Sequence, residues 1–83
     1  MTLNQLRDFL AAARTGSFTA AAVELMVAQA SISELIRRME DELGLPLFGR
    51  GGRRLVVTPA GNELLPYAEQ AVGGSTAFAL AYN

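Results

Sequence analysis

Arg50, Arg53 and Arg54 fall within a stretch, Leu43 to Asn62, that contains no acidic residue. Three guanidiniums with no carboxylate between them make a local positive patch, and neutralising phosphates is the chemistry such a patch performs. The patch sits on a body of opposite character. The 83 residues carry a formal net charge of −1, and all seven basic residues are Arg. Other chemistries lack their parts. There is no Cys and no His, which removes the common zinc sites, Ser-His and Cys-His nucleophile pairs, and the usual neutral-pH acid/base. Gly49-Arg50-Gly51-Gly52 is glycine-rich, but no Lys-Ser/Thr follows it and it precedes a strand-like run, so it is not a nucleotide loop. Glu40-Asp41-Glu42 are adjacent on a helical pattern and point different ways, as an exposed charged face does. No cofactor, no metal and no enzymatic activity are expected.

The elements that must position the arginines are legible in the hydrophobic spacing. Thr2 and Gln5 fit a capping box. Leu6, Phe9, Leu10 and Ala13 then follow the spacing of a buried helical stripe, and Gly16 is a natural stop, giving a helix over 3–15. Ser17 caps a second helix over 18–25, with Phe18, Ala21, Ala22 and Leu25 as its stripe. A third helix buries Ile32, Ile36, Met39 and Leu43, with Leu35 on the margin, and ends at Gly44. Its start has two readings: near Ala28, which offers no cap, or at Ile32 through a Ser31–Glu34 capping box. Leu45–Arg50 and Arg54–Val57 flank Gly51-Gly52-Arg53 as a short hairpin. Thr58 caps a fourth helix with Pro59 at its first position. Gly61, Leu64, Leu65, Ala68 and Val72 form its stripe. Pro66 should kink it, and Gly73-Gly74 either ends it near Val72 or lets it run to about Ala81.

Hydrophobic residues at 51% and charged residues at 18% describe a globular chain, not a disordered one. A domain this short buries only about 60–65% of its unfolded surface, so help from a partner subunit is in keeping with its size. No stretch approaches the ~20 apolar residues of a membrane span. Arg7 and Asp8 interrupt the only place for a secretory signal, leaving the cytoplasm as the expected location and no membrane partner.

Two short helices, a third with a polar outer face, then a basic hairpin: this order is that of a winged helix-turn-helix. The major groove of DNA admits one helix, and a helix packed by its apolar stripe leaves the other face free to enter it. The fold expected is mainly α, with a three-helix core and a two-stranded wing over 1–58, followed by a linker or dimerisation helix over 59–83. The runs Gly16-Ser17-Phe18-Thr19, Ala21-Ala22, Val27-Ala28-Gln29, Ile32-Ser33, Ile36-Arg37, Glu40-Asp41-Glu42-Leu43-Gly44, Leu47-Phe48, Arg53-Arg54 and Thr58-Pro59-Ala60-Gly61 occur without insertion. With them, the segment from Leu6 to Val72 resembles the DNA-binding domain of LysR-type transcriptional regulators. The resemblance implies that the helix starting near Gln29 enters the major groove, which favours the earlier start of helix three. It also implies that the hairpin touches the flanking backbone and that the long helix pairs with its counterpart in a homodimer, through Leu64, Leu65, Ala68 and Val72. The partner expected is double-stranded DNA carrying a dyad operator. The family's C-terminal effector-binding domain is not among these residues. An isolated or truncated domain is expected, with a small-molecule effector only where that further domain exists.

Each candidate contact has a plainer counterpart. Gln29 and Ser33 either hydrogen-bond base edges or are exposed polar residues. Ala30 lies beside them, where the family commonly has Pro or Ser. Ser31 bonds a phosphate or caps the helix. Glu34 accepts from a cytosine amino group, closes a capping box with Ser31, or pairs with Arg38. Arg37 meets a phosphate or base, while Arg38 has Glu34, Asp41 and Glu42 to pair with. Arg50, Arg53 and Arg54 bind phosphates or form a solvated turn. Thr19 donates to a phosphate at the start of helix two or serves as a secondary cap. A second function class is also open: a winged-helix protein-interaction module with little DNA affinity, suggested by the acidic pI of about 5.2, by Ala20 and by Glu34.

Overall fold

Helix α1 (Leu3–Thr15) begins with the reciprocal cap its sequence supplies. Thr2 Oγ1 accepts from the Gln5 N–H at 3.1 Å, and Gln5 Oε1 accepts from the Thr2 N–H at 2.9 Å. Helix α2 (Phe18–Leu25) is capped by Ser17, whose Oγ accepts from the Ala20 N–H at 3.1 Å. Helix α3 (Gln29–Leu43) starts from Ala28 with no side-chain cap, so the earlier start is the one adopted. Ser31 lies inside this helix, and its N–H reaches the Ala28 carbonyl at 3.0 Å. Strands β1 (Phe48–Gly49) and β2 (Val56–Val57) pair antiparallel, Phe48 opposite Val57 and Gly49 opposite Val56. Helix α4 (Pro59–Gly73) completes the order. Thr58 Oγ1 accepts from the Gly61 N–H at 3.1 Å and donates to the Pro46 carbonyl at 2.6 Å. The computed structural model describes residues 1–49 and 54–73; Arg50, Arg53 and the stretch toward Ala81 lie outside them.

Phe9, Ile32, Ile36, Met39 and Leu47 are the large side chains fully removed from solvent. Alanines at 11, 12, 21 and 22 are buried beside them and let the backbones of α1 and α2 approach closely. The buried face of α1 is wider than its Leu6–Phe9–Leu10–Ala13 stripe: Phe9, Ala11 and Ala12 are buried and the other three only partly. The reason is that α1 meets α2, α3 and α4 at once. The wing is bolted to this core by Phe48, which is 3% exposed. Its ring lies 5.5 Å from Phe9 and 5.8 Å, edge-on, from Phe18. Each such pair contributes about 0.5–1.5 kcal/mol beyond its buried area.

Among the described residues β1 starts at Phe48, later than the run expected from Leu45. Pro46 has no N–H to give, and the Leu47 N–H is taken by Glu40 Oε2 at 2.8 Å. At Gly61 the first turn of α4 is pressed against the wing. A methyl group there would lie 2.5 Å from the Leu47 carbonyl oxygen and 2.6 Å from Val57 Cγ1. Only a residue without Cβ permits this approach. The α2–α3 turn has no glycine; Met26 itself takes the left-handed conformation, φ 59, with its side chain 90% exposed. Among the described residues no single helix is long and apolar enough to cross a membrane.

Candidate nucleic-acid interface

Because Ile32, Ile36 and Met39 bury one side of α3, the residues between them in the helical repeat are turned outward. Gln29, Ala30, Ser31, Arg37 and Arg38 are exposed, and Ser33 and Glu34 are half-buried. Two polar groupings occupy this side. Gln29 Nε2 donates to Ser33 Oγ at 3.2 Å, one turn along. Glu34 engages both arginines: Arg37 Nη2 donates to its two carboxylate oxygens at 3.0 and 2.8 Å, and Arg38 Nε lies 3.5 Å from Oε1. The hydrogen bond from Arg37 holds the Glu34 carboxyl below its ordinary range. The same bond, with Asp41 nearby, pushes the Arg37 guanidinium up. Of the roles open to Glu34 in the sequence, the capping box with Ser31 is excluded, since the helix begins three residues earlier. Ser31 lies instead on the margin toward α1, at a small cleft shared with Asn4 and Asp8.

Arg54 is exposed and rests on the α1–α2 turn. Gly16 has φ 71, and a methyl group on it would lie 2.8 Å from Arg54 Nη2 and 2.9 Å from Nε. The Gly16 carbonyl also accepts from the Leu55 N–H at 3.0 Å. One glycine thus ends α1, leaves room for the arginine and anchors β2. Thr19 is exposed in the first turn of α2, just past that anchor. Arg50 and Arg53 fall outside the described residues.

Glu40 is the residue whose role the sequence concealed. It stands among three consecutive acids, yet it is half-buried. Its Oε2 accepts from the Leu47 N–H at 2.8 Å and the Phe48 N–H at 3.4 Å, fastening the last turn of α3 to the wing. The available signal was the tight connection from Leu43 to Leu47, whose N–H groups need acceptors.

On α4, the four residues expected at a dimer interface are placed differently from one another. Leu65 and Val72 line a groove of about 860 Å³ between α1 and α4, together with Leu10, Ala13 and Leu25. Arg14 and Glu24 form an ion pair at its rim. Leu64 is partly buried against the core, and Ala68 is 0% exposed. Val72 is 5% exposed as well, so the face of α4 that carries Ala68 and Val72 is covered by packing within the chain.

A family model described as bacterial regulatory helix-turn-helix protein, lysR family, matches residues 3–62. The chain is 47% identical over 75 residues to the RuBisCO operon transcriptional regulator of Allochromatium vinosum, covering 90% of this chain and 24% of that one. It is 48% identical over 69 residues to the HTH-type transcriptional activator AmpR of Rhodobacter capsulatus, covering 83% and 24%. The chain thus spans about a quarter of the length of these relatives. Among solved structures, the DNA-binding domain of BenM in complex with catB site 1 DNA matches with a TM-score of 0.85 at 39% identity, over 89% of this chain and 82% of that one. The oxidized form of Corynebacterium glutamicum OxyR matches with a TM-score of 0.87 at 36% identity, over 99% and 26%.

Proposed function

We propose a function from one premise: this chain belongs to the lysR family of bacterial regulatory helix-turn-helix proteins. It is a DNA-binding domain of the winged helix-turn-helix class. On our reading α3 lies in the major groove, where Gln29 and Ser33 reach base edges and Arg37 and Arg38 reach phosphates or guanines. Ala30, Ser31 and Glu34 share that helix, and Thr19 donates to the backbone at the start of α2. Arg50, Arg53 and Arg54 of the wing neutralise phosphates beside the groove. The BenM domain, solved as a complex with DNA, supports this reading by its likeness.

A homodimer positions two such helices on a dyad operator. The α1–α4 groove, with Leu65 and Val72 along it and Leu64 beside it, is the surface for the second subunit. The protein regulates transcription in the bacterial cytoplasm and is not an enzyme. A small-molecule effector enters only through a further domain of the kind its longer relatives have room for.

The observation that carries this is the division of α3 into a sealed stripe, Ile32, Ile36 and Met39, and an outward side bearing Gln29, Ser33 and Arg37. Fluorescence anisotropy on duplexes with and without a dyad site, across a salt series, tests it. The expected result is binding that weakens as salt rises and favours some sequences over others. The net charge of −1 favours the second reading, a protein-interaction module. Absence of salt-sensitive duplex binding selects that reading.

A further inference from the structure

We infer that Glu34 is an autoinhibitory residue that acts as an internal stand-in for phosphate, occupying Arg37 and Arg38 and so lowering the affinity of the recognition helix for the DNA backbone. This rests on the DNA-binding reading and deepens it. The geometry is that of an arginine–phosphate contact turned inward. Both oxygens of one carboxylate accept from Arg37 Nη2, at 3.0 and 2.8 Å, while Arg38 Nε lies 3.5 Å from Oε1. The three side chains sit at i, i+3 and i+4, so the helix backbone itself holds them together. They remain reachable: the side chains of Arg37 and Arg38 are 62% and 68% exposed.

Any phosphate that recruits either arginine must take it from Glu34, and then faces the carboxylate left behind. Random DNA offers phosphates alone and meets that opposition in full. An operator offers base edges to Gln29 and Ser33 as well, and such contacts offset that opposition. The carboxylate therefore subtracts a similar free energy from both modes, and binding that lacks base contacts is the first to fall below a useful affinity. Asp41 works in the same direction on Arg37.

The test uses the whole chain, with Glu34→Gln, Arg37→Ala/Arg38→Ala and the triple variant, on a labelled random-sequence duplex. At about 50 mM salt Glu34→Gln is expected to tighten binding by about threefold to thirtyfold and to steepen the salt slope by about 1 to 2. In the background lacking both arginines the gain should fall to less than half. Unchanged or weaker binding by Glu34→Gln overturns the inference, as does an equal gain in both backgrounds. A loss confined to one base position in a selected pool also overturns it, because that is the signature of a carboxylate reading a cytosine. Failure of wild type and variant alike to bind any duplex at low salt refutes the DNA-binding reading itself, a result distinct from the others.

Discussion

Replacing Gly16 by Ala probes how the helix turn and the wing depend on each other, and Gly44→Ala supplies its control. The two glycines have the same backbone, φ 71 with ψ 19 and φ 71 with ψ 18. A side chain at either therefore incurs the same left-handed strain, about 1–2 kcal/mol. Their surroundings differ. Nothing lies within 4 Å of a methyl group at Gly44, whereas one at Gly16 meets the Arg54 guanidinium at 2.8 Å. The end of an arginine moves aside at little cost, so both variants should melt about 4–16 °C below wild type and close to one another. Their DNA binding should diverge. On the reading proposed above, displacing Arg54 removes one phosphate contact, which should lower the salt slope by about 1 for Gly16→Ala and leave it unchanged for Gly44→Ala. Melting followed by circular dichroism and anisotropy across a salt series measure both quantities. In an Arg54→Ala background, Gly16→Ala should add nothing further to the loss of binding. An unchanged slope, or a full additional loss in that background, refutes the reasoning.

Gly61→Ala should destabilise by about 1–3 kcal/mol, read from a urea midpoint, because the Leu47 carbonyl and the Val57 side chain already occupy the space; a more stable variant shows that α4 slides freely on the wing. Glu40→Ala should cost about 1–3 kcal/mol by the same measure, with Glu40→Gln recovering part of it, since the amide oxygen still accepts from Leu47 or Phe48. Equal losses for the two variants point to the carboxylate charge, since Gln keeps both the volume and an acceptor oxygen. Burial raises the Asp8 carboxyl above its ordinary range, against the pull of Arg7. The folded state therefore holds that proton more tightly than the unfolded one, and stability falls as pH rises from the unfolded pKa through the raised folded one. Asp8→Asn should raise the Tm near neutral pH, with the gain shrinking in acid; a gain independent of pH removes ionisation as its cause.

What was legible in the sequence was local. The ends of α1 and α2 and the N-terminus of α4 follow from Thr2, Gly16, Ser17 and Thr58, each of which acts on a backbone group within a few residues. The start of α3 was different: Ala28 supplies no capping atom, and the better-looking cap at Ser31 was not used. There the local rule loses to the burial of Ile32, Ile36 and Met39 and to the turn at Met26, which no glycine announces. The site residues of α3 could be assigned to an outward side because periodicity alone decides that. Whether an outward side chain is occupied could not be decided, and Glu34 is the case in point. Contacts distant in sequence were not legible: Arg54 over Gly16, Glu40 beneath Leu47 and Phe48, and Phe48 between Phe9 and Phe18. The burial of Ala68 and Val72 was not legible either, since an apolar stripe does not say whether its own chain or a second one covers it.

These distant contacts explain how so small a wing is held. Among the described residues the ladder has two residue pairs, too few to be stable by themselves. The Gly16 carbonyl holds Leu55, Glu40 holds Leu47 and Phe48, and the Leu47 carbonyl accepts from the Thr58 N–H at 3.0 Å. Each attachment begins on a different helix or its cap, so the wing takes its position from α1, α3 and α4 together. Loosening one attachment should shift Arg54 relative to α3 before it melts the core, which lies deeper around Phe9, Ile36 and Met39. Affinity for DNA is then the more sensitive gauge of these contacts, and global stability the less sensitive one. That ordering distinguishes a wing positioned by its supports from a wing that folds independently and merely sits beside them.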